Sequence, residues 1–576
     1  MQDKIYNLIY SFSIMKSEVV KVLKKALEKL DVKLKAEEIA KILEVPKNHE
    51  NGDYSFPCFF LSDQLKDNGH QIALRVREEV GNVSVIDFED VLVSGGYLNF
   101  FLDRKELARK SVWDVITKKE KYGKINLGKN KKVIMDFSHP NIAKPFGIGH
   151  LRSTIIGNSI ANIYDFFGFN VKRINYLGDW GTQFGKILLG YDKFGSEKKL
   201  KKDPMKHLLE IYVKANKKIY EEKSREWFKK LEDGDRKALM HWRLFREFSI
   251  DHFKKTYKTM GIKFDTYSGE SFTVKKTKKV LSELEEKNLS KKSQNALIVD
   301  LEEFNLGVSI MKKSDEATTY ALRDLAEAID RHKKYDFVKA IYQVGQEQKL
   351  YFKQIFKILE LMGYEWSKDC IHSEHGFYLD KNKKKFATRK GKTVLFEGIL
   401  DKTISLAEKE IKKRDKKIHK KELEKRALKI AIAAIFYGDL KNNKTNNIIF
   451  DLNKFISFEG DTGPYILYSY ARASSILRKA GEQKKFQINS LNKKELELIR
   501  KILEFPELVL NSYNNLNPSL IANYVYQLSQ NFNDFYHSCP VIGTKEESFR
   551  LALVESFRIV SKNSLNLLGI QTLEKM

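Results

Sequence analysis

Residues 133–177 constrain the fold of this 576-residue chain more than any other stretch. Val133-Ile134-Met135-Asp136-Phe137 reads as a strand, and a loop punctuated by Pro140, Pro145, Gly147 and Gly149 follows it. Leu151–Phe167 then carries helical periodicity and stops at Gly168, and Val171–Leu177 is a second strand. Two strands joined by a helical crossover of this length lie parallel, which predicts an open α/β sheet with helices covering its faces. A second unit of the same kind runs from helix Ala321–Lys334 through strand Phe337–Val344 to a helix over Gln346–Leu361.

Other regions attach to this sheet. Residues 17–45 read as helices with Val20, Leu23, Leu27 and Leu30 at helical spacing. The loop Asn51-Gly52-Asp53, another helix and the strand-like pieces Val91–Val93 and Tyr97–Leu102 complete an N-terminal α+β unit. The lysine-rich stretch Lys118–Lys132, with Gly123 and Gly128, marks its end. Residues 192–260 are charged and helical and read as an insertion, and from about 402 onward nearly everything is helical. The predicted division is therefore 1–122, 123–401 and 402–576; the length exceeds what one core organises.

The chain carries 104 Lys and Arg against 76 Asp and Glu, a net charge of +28. That excess favours a polyanionic partner through counterion release, although a lysine-rich composition accounts for it equally well. The three cysteines, Cys58, Cys370 and Cys539, are too far apart in sequence for a zinc-binding pair, and a reducing, cytoplasmic setting is expected. No apolar run nears the length of a membrane span, and the N-terminus makes a poor signal peptide.

The chemistry concentrates in Ser138-His139-Pro140-Asn141-Ile142-Ala143-Lys144-Pro145-Phe146-Gly147-Ile148-Gly149-His150-Leu151-Arg152-Ser153-Thr154, where a strand hands over to a helix. Gly147 and Gly149 let a flat ligand approach the backbone, and the helix N-terminus attracts phosphate. His150 and Lys144 add donors for developing negative charge. Taken alone, a glycine turn with one histidine is an ordinary helix cap.

The full string resembles the ATP-binding signature of class I aminoacyl-tRNA synthetases in its arginyl-tRNA synthetase setting. Three more strings follow in the order of that family: Asn175-Tyr176-Leu177-Gly178-Asp179-Trp180-Gly181-Thr182-Gln183-Phe184-Gly185, Phe386-Ala387-Thr388-Arg389-Lys390-Gly391, and Phe458-Glu459-Gly460-Asp461-Thr462-Gly463-Pro464-Tyr465. The second resembles a degenerate Lys-Met-Ser-Lys-Ser loop, and the third the opening of the helical anticodon-binding domain. The resemblance implies a Rossmann-like catalytic domain, an N-terminal domain touching the tRNA elbow and an all-helical C-terminal anticodon-binding domain. It departs at Gly147, where the family's first signature histidine is missing. Lys144, upstream of the turn, is the natural substitute, and Arg389 and Lys390 remain.

What the resemblance implies is an arginine–tRNA ligase. ATP with Mg²⁺ activates L-arginine to an adenylate, and the arginyl group passes to the terminal ribose of tRNA(Arg), with tRNA needed for activation. Lys144, His150, Arg389 and Lys390 are expected to act in catalysis, and Gly147 and Gly149 to border ATP. Asp136, Asn141, Tyr320, Asp324 and Gln348 are expected to line the arginine site. Tyr320 and Asp324, four residues apart, share a helix face, and a guanidinium calls for carboxylates and flat walls. Without the flanking motifs, Asp324 reads as a surface salt bridge with Arg323 or Arg331, and Asp136 as a loop cap.

For RNA, Asn51 and Tyr54 in the N-terminal unit and Tyr526 and Tyr536 near the C-terminus are the candidates. Ile521, Tyr524, Leu528, Phe532 and Phe535 follow helical spacing and read as core. The lysine runs at 198–202, 383–385 and 412–421 read as solvated faces. A monomer without protein-bound zinc is expected. A class I synthetase for another amino acid, a small-molecule nucleotidyltransferase and a catalytically silent RNA-binding relative are the rival readings, the last motivated by Gly147.

Overall fold

In the computed structural model, residues 14–46, 48–83, 88–314, 317–386, 394–451, 457, 460–481 and 485–576 are described. Three short strands, β1 (Tyr54–Pro57), β2 (Phe88–Ser94) and β3 (Tyr97–Leu102), form an antiparallel N-terminal sheet in the order β1-β3-β2. Helices Ile14–Lys29, Ala36–Ile42 and Gly69–Val83 accompany it, and Leu23, Leu27, Phe56, Val76 and Phe100 fill a separate small core. The chain thus enters a strand directly after Asn51-Gly52-Asp53, where the sequence pattern suggested a helix. Only four residues long, β1 shows too little alternation to be read in advance.

The central sheet is built from β4 (Lys132–Asp136), β5 (Asn170–Leu177), β6 (Thr266–Gly269), β10 (Lys339–Gly345) and β11 (Cys370–His375), all parallel, in the order β11-β10-β4-β5-β6. The chain runs outward from β4 through β5 to β6, then returns to place β10 on the other side of β4. The crevice at the carboxyl ends of β4 and β10 is therefore the switch point where such sheets bind ligands. Helix Ile148–Phe166 makes the first crossover. It is apolar around most of its girth because it packs between the sheet and the C-terminal helices. Gly168, at φ +78°, supplies the left-handed residue that ends it.

Five helices between Thr182 and Met260 occupy the region expected as an insertion. A second excursion went unread: β7 (Ser290–Ser293), β8 (Ala296–Asp300) and β9 (Val308–Lys312) form a small antiparallel sheet. Its first strand, Ser-Lys-Lys-Ser, has no apolar residue to betray it. Helix Arg104–Lys118 straddles two cores: Leu107 belongs to the N-terminal one, while Ala108, Val112 and Val115 join the central one. Seven long helices from Phe396 to Leu567 complete the chain among the described residues. Tyr164 and Phe167 of the crossover helix pack on Tyr513, so sheet and C-terminal helices share one continuous core.

Candidate functional site

The loop leaving β4 is held in an unusual backbone path. Ser138, His139 and Ala143 have φ of +83°, +53° and +58°, values that side chains disfavour and that persist only where surroundings enforce them. Here they do. The Ser138 N–H donates to Ser153 Oγ (3.0 Å), which itself donates to the Gln343 carbonyl (2.7 Å), and the Ala143 N–H donates to Ser249 Oγ (2.8 Å). The Ile142 N–H reaches the Gly178 carbonyl (3.1 Å), tying the loop to the end of β5.

Beside this loop lies a cavity of about 510 Å³ with an acidic wall. Asp136, Asn141, Tyr320, Asp324 and Gln348, all expected at the arginine site, line it; so do Tyr176, Glu270, Glu327, Arg331, Tyr342 and Tyr351, which sequence reasoning missed. Asp324 Oδ2 accepts the Tyr351 hydroxyl at 2.5 Å. Burial pushes the Asp324 carboxyl up to about 6, against the pull of Tyr351, Arg331 and Arg323. Its neighbour Glu270 is pushed to about 8 by burial, with Arg323 opposing and the Asp324 and Asp179 charges adding. Asp179, fully buried, sets the Glu270 turn. It accepts the Ser271 N–H and Oγ–H, both at 2.8 Å, and Arg246 Nε at 2.9 Å.

Asp136 is occupied differently. Its Oδ2 takes Arg331 Nη1 at 2.7 Å, and its Oδ1 sits 2.8 Å from His139 Nε2. Arg331 Nε also reaches Glu327 (2.9 Å), and its guanidinium lies 5.2 Å from the Tyr176 ring and 5.7 Å from that of Tyr342. Burial alone would raise the Asp136 carboxyl, but Arg331 and His139 outweigh it and hold the group below its usual range. Asp136 is thus not a loop cap: it lines the cavity with its carboxylate paired to an internal guanidinium. Asp324 makes no ion pair with Arg323, which faces Glu270 instead (3.3 Å).

A second cavity, about 190 Å³, opens at the N-terminus of helix Ile148–Phe166. Gly149, Arg152, Ser153, Gly345, His375 and Phe386 are among its lining residues, and His139, Val344 and Glu347 line both cavities. Among the described residues, nothing lies within 4 Å of where a Gly149 side chain would begin, so they leave that face of the helix open. Gly147 is the N-cap, its N–H donating to His150 Nδ1 (3.3 Å). Burial, with Lys144 and His139 adding, drives the His150 imidazole down to about 4, so it stands neutral at physiological pH.

Lys144 points its ammonium at Gln183 Oε1 (3.1 Å) and at the Tyr212 ring (4.5 Å), and neither cavity counts it among its lining residues. Arg389 and Lys390 lie outside the described residues. On either side of them Phe386 lines the second cavity, and Leu395 bridges to Gly147. Lys385, read as part of a solvated run, is exposed but reaches Glu347 (3.1 Å) at the second cavity's wall.

Among the RNA candidates, Asn51 is exposed, Tyr54 is half-buried in β1, Tyr526 packs on Tyr465, and Tyr536 is 38% exposed with Arg472 over its ring. Ile521, Tyr524, Leu528, Phe532 and Phe535 are all buried. No described helix is long and apolar enough to cross a membrane, and no three described His, Cys, Asp or Glu side chains gather as a metal site.

Three family models match the chain in succession: the arginyl tRNA synthetase N terminal domain over residues 17–102, the class I tRNA synthetase (R) catalytic domain over 111–452, and the DALR anticodon binding domain over 466–576. The arginine–tRNA ligase of Clostridium acetobutylicum is 41% identical over 566 residues, covering 96% of this chain and 99% of its own. That of Pediococcus pentosaceus is 42% identical over 546 residues, covering 94% and 96%. Among solved structures, the arginyl-tRNA synthetase of Plasmodium falciparum superposes with a TM-score of 0.79 at 25% identity, over 98% of this chain and 99% of that one. The Thermus thermophilus arginyl-tRNA synthetase gives 0.79 at 23% identity, over 98% and 100%, a likeness of fold.

Proposed function

The chain belongs to the arginyl-tRNA synthetases, and from that premise we propose that its acidic cavity holds L-arginine while the adjoining cavity at the helix N-terminus holds ATP. The activity is that of an arginine–tRNA ligase. The arginine carboxylate attacks the α-phosphorus of ATP, the bond to the bridging oxygen breaks, and pyrophosphate leaves with the electron pair. The terminal ribose hydroxyl of tRNA(Arg) then takes the arginyl group from the adenylate, and AMP departs. Neither transfer needs a protein nucleophile; both need alignment and neutralised charge.

The observation that carries the assignment is the junction of the two cavities through one shared wall. Glu270 and Asp324 offer carboxylates to a guanidinium, whose flat faces suit the neighbouring Tyr176 and Tyr320 rings. Asn141 and Gln348, at the mouth, suit the backbone end of the amino acid. The open helix turn at Gly149 receives adenine or ribose, and the helix N-terminus favours phosphate. Lys144 would reach phosphate by leaving Gln183, and Arg389 and Lys390 would close from the loop beyond Phe386. Mg²⁺ would arrive on the phosphates, with Glu347 a lone carboxylate beside it rather than a cage, as suits an ion that keeps its water.

Anticodon reading by the C-terminal helices, an elbow contact by the N-terminal unit, a monomeric state and a cytoplasmic site complete the proposal. ATP–pyrophosphate exchange with each amino acid, with and without tRNA, tests it. Exchange driven by arginine in the presence of tRNA is expected; exchange with another amino acid, or none, would remove the assignment. Sedimentation tests the monomer.

A further inference from the structure

We propose that His139 is a catalytic residue of adenylate formation, its ring donating a hydrogen bond to the α-phosphate where the arginine and ATP cavities meet. The inference rests on the assignment of those cavities given above. Three described residues line both: His139, Val344 and Glu347. The attacking carboxylate and the α-phosphate must meet at that shared wall, and both are anionic. Val344 offers no donor, and the Glu347 carboxylate repels them. His139 has the one side chain there that is able to donate.

Its placement is determined in detail. The ring is anchored through Nε2, 2.8 Å from Asp136 Oδ1, and Asp136 is fixed by Arg331 (2.7 Å), itself braced on Glu327 (2.9 Å). With that nitrogen taken, Nδ1 is left to face substrate. The left-handed backbone at Ser138 and His139, clamped by Ser153 and Gln343, is the cost of bringing the ring to this wall. A carboxylate can only accept, so Nε2 donates to Asp136, and in the proposed role the second ring N–H, at Nδ1, donates to the phosphate oxygen. Other donors nearby lie away from this junction: neither His150 nor Lys144 lines either cavity, and Lys385, which lines only the second, is paired with Glu347 at 3.1 Å. In the transfer itself His139 neither gains nor loses a proton; it stabilises charge on a non-bridging oxygen while the carboxylate–phosphorus bond forms and pyrophosphate leaves.

Two substitutions separate this from a merely structural role. His139→Gln places an amide near the Nε2 position and keeps Asp136 partnered, whereas His139→Asn places its amide near the Nδ1 position and tolerates the left-handed backbone. In arginine-, ATP- and tRNA-dependent pyrophosphate exchange by the full chain, His139→Gln is expected to lower kcat about 10²-fold with both KM values little changed. His139→Asn should recover about tenfold of that loss. A His139→Gln enzyme as fast as wild type overturns the inference. So does a pattern in which Gln restores full activity while Asn does not, which would mean that His139 only positions Asp136. A wild-type protein silent with arginine would instead overturn the cavity assignment beneath it.

Discussion

Asp136 and Arg331, 195 positions apart in sequence, meet at 2.7 Å in the wall of the acidic cavity, each almost wholly shielded from water. The pair joins the end of β4 to helix Tyr320–Tyr335, the helix that also carries Asp324. Removing one member of a buried pair leaves the other charge uncompensated, which costs about 3–5 kcal/mol. Arg331→Met is therefore expected to lower unfolding stability by that amount, read from urea denaturation, and to raise the KM for arginine by loosening the helix. A variant of unchanged stability would show that the pair is not holding the cavity wall.

In the proposed site, Asp324 offers its carboxylate to the substrate guanidinium. Asp324→Ala should raise the KM for arginine by about 10²-fold or more, because a buried cation is left without its counter-charge, while the KM for ATP changes less than about twofold. Tyr351→Phe removes only the 2.5 Å hydrogen bond that orients this carboxylate, and about a tenfold rise in arginine KM is expected. Steady-state kinetics on both variants, with tRNA saturating, makes the comparison. Equal effects on arginine and ATP would argue that Asp324 supports the fold and not the substrate.

How far the sequence foretold this site follows from how local each signal is. The strand–loop–helix at 132–166 is legible from spacing within one segment, and the pair Tyr320 and Asp324 from the family resemblance, with which their spacing agrees. Glu270 sits at the end of a four-residue strand with no periodicity, and only the turn set by Asp179 brings it to the cavity. Arg331 looks in sequence like one more cation on a charged helix. Its burial is dictated by β10 returning beside β4, a pairing that joins residues about two hundred positions apart. His139 is equally silent, since nothing in its neighbours announces a left-handed backbone or a partner on the strand before it. The lysine at 144 was legible as a donor, but its resting contact with Gln183 depends on a helix that follows the next strand.

The raised carboxylates give arginine binding a pH signature. With Glu270 at about 8 and Asp324 at about 6 in the free protein, arginine meets a site that still holds protons at neutral pH. A guanidinium prefers the ionised forms, so binding expels protons and affinity should rise as pH goes from 6 to 8. Stability of the free protein runs the other way. A folded pKa above the ordinary 4.5 means the folded state binds more protons, so the Glu270 contribution falls as pH rises from about 4.5 through 8. Calorimetric titration in buffers of different ionisation enthalpy should detect proton release with arginine at pH 7, and Glu270→Gln should abolish most of it. No proton release in the wild type would contradict the assignment of Glu270 to the guanidinium.

Arg152 connects the second cavity, proposed to hold ATP, to the C-terminal helices. Its guanidinium lines that cavity, lies 3.4 Å from Asp439 on helix Lys420–Leu440, and donates to the carbonyls of Asn443 and Asn446. Tyr378, which lines the same cavity and whose ring lies 5.9 Å from the Arg152 guanidinium, donates its hydroxyl to the same Asp439 carboxylate. Burial raises the Asp439 carboxyl, while Arg152 and Tyr378 pull against the shift. Asp439→Asn keeps the shape and removes the charge, so Arg152 loses its counter-ion but keeps its two carbonyl acceptors. The wall of this second cavity should then loosen while the acidic cavity, which shares only His139, Val344 and Glu347 with it among the described residues, stays intact. A rise of about tenfold in the KM for ATP with arginine KM unchanged is expected, together with a stability loss of about 2–4 kcal/mol by denaturant titration. If both substrates weaken alike, Asp439 acts on the whole sheet and the separation of the two cavities is lost as an explanation.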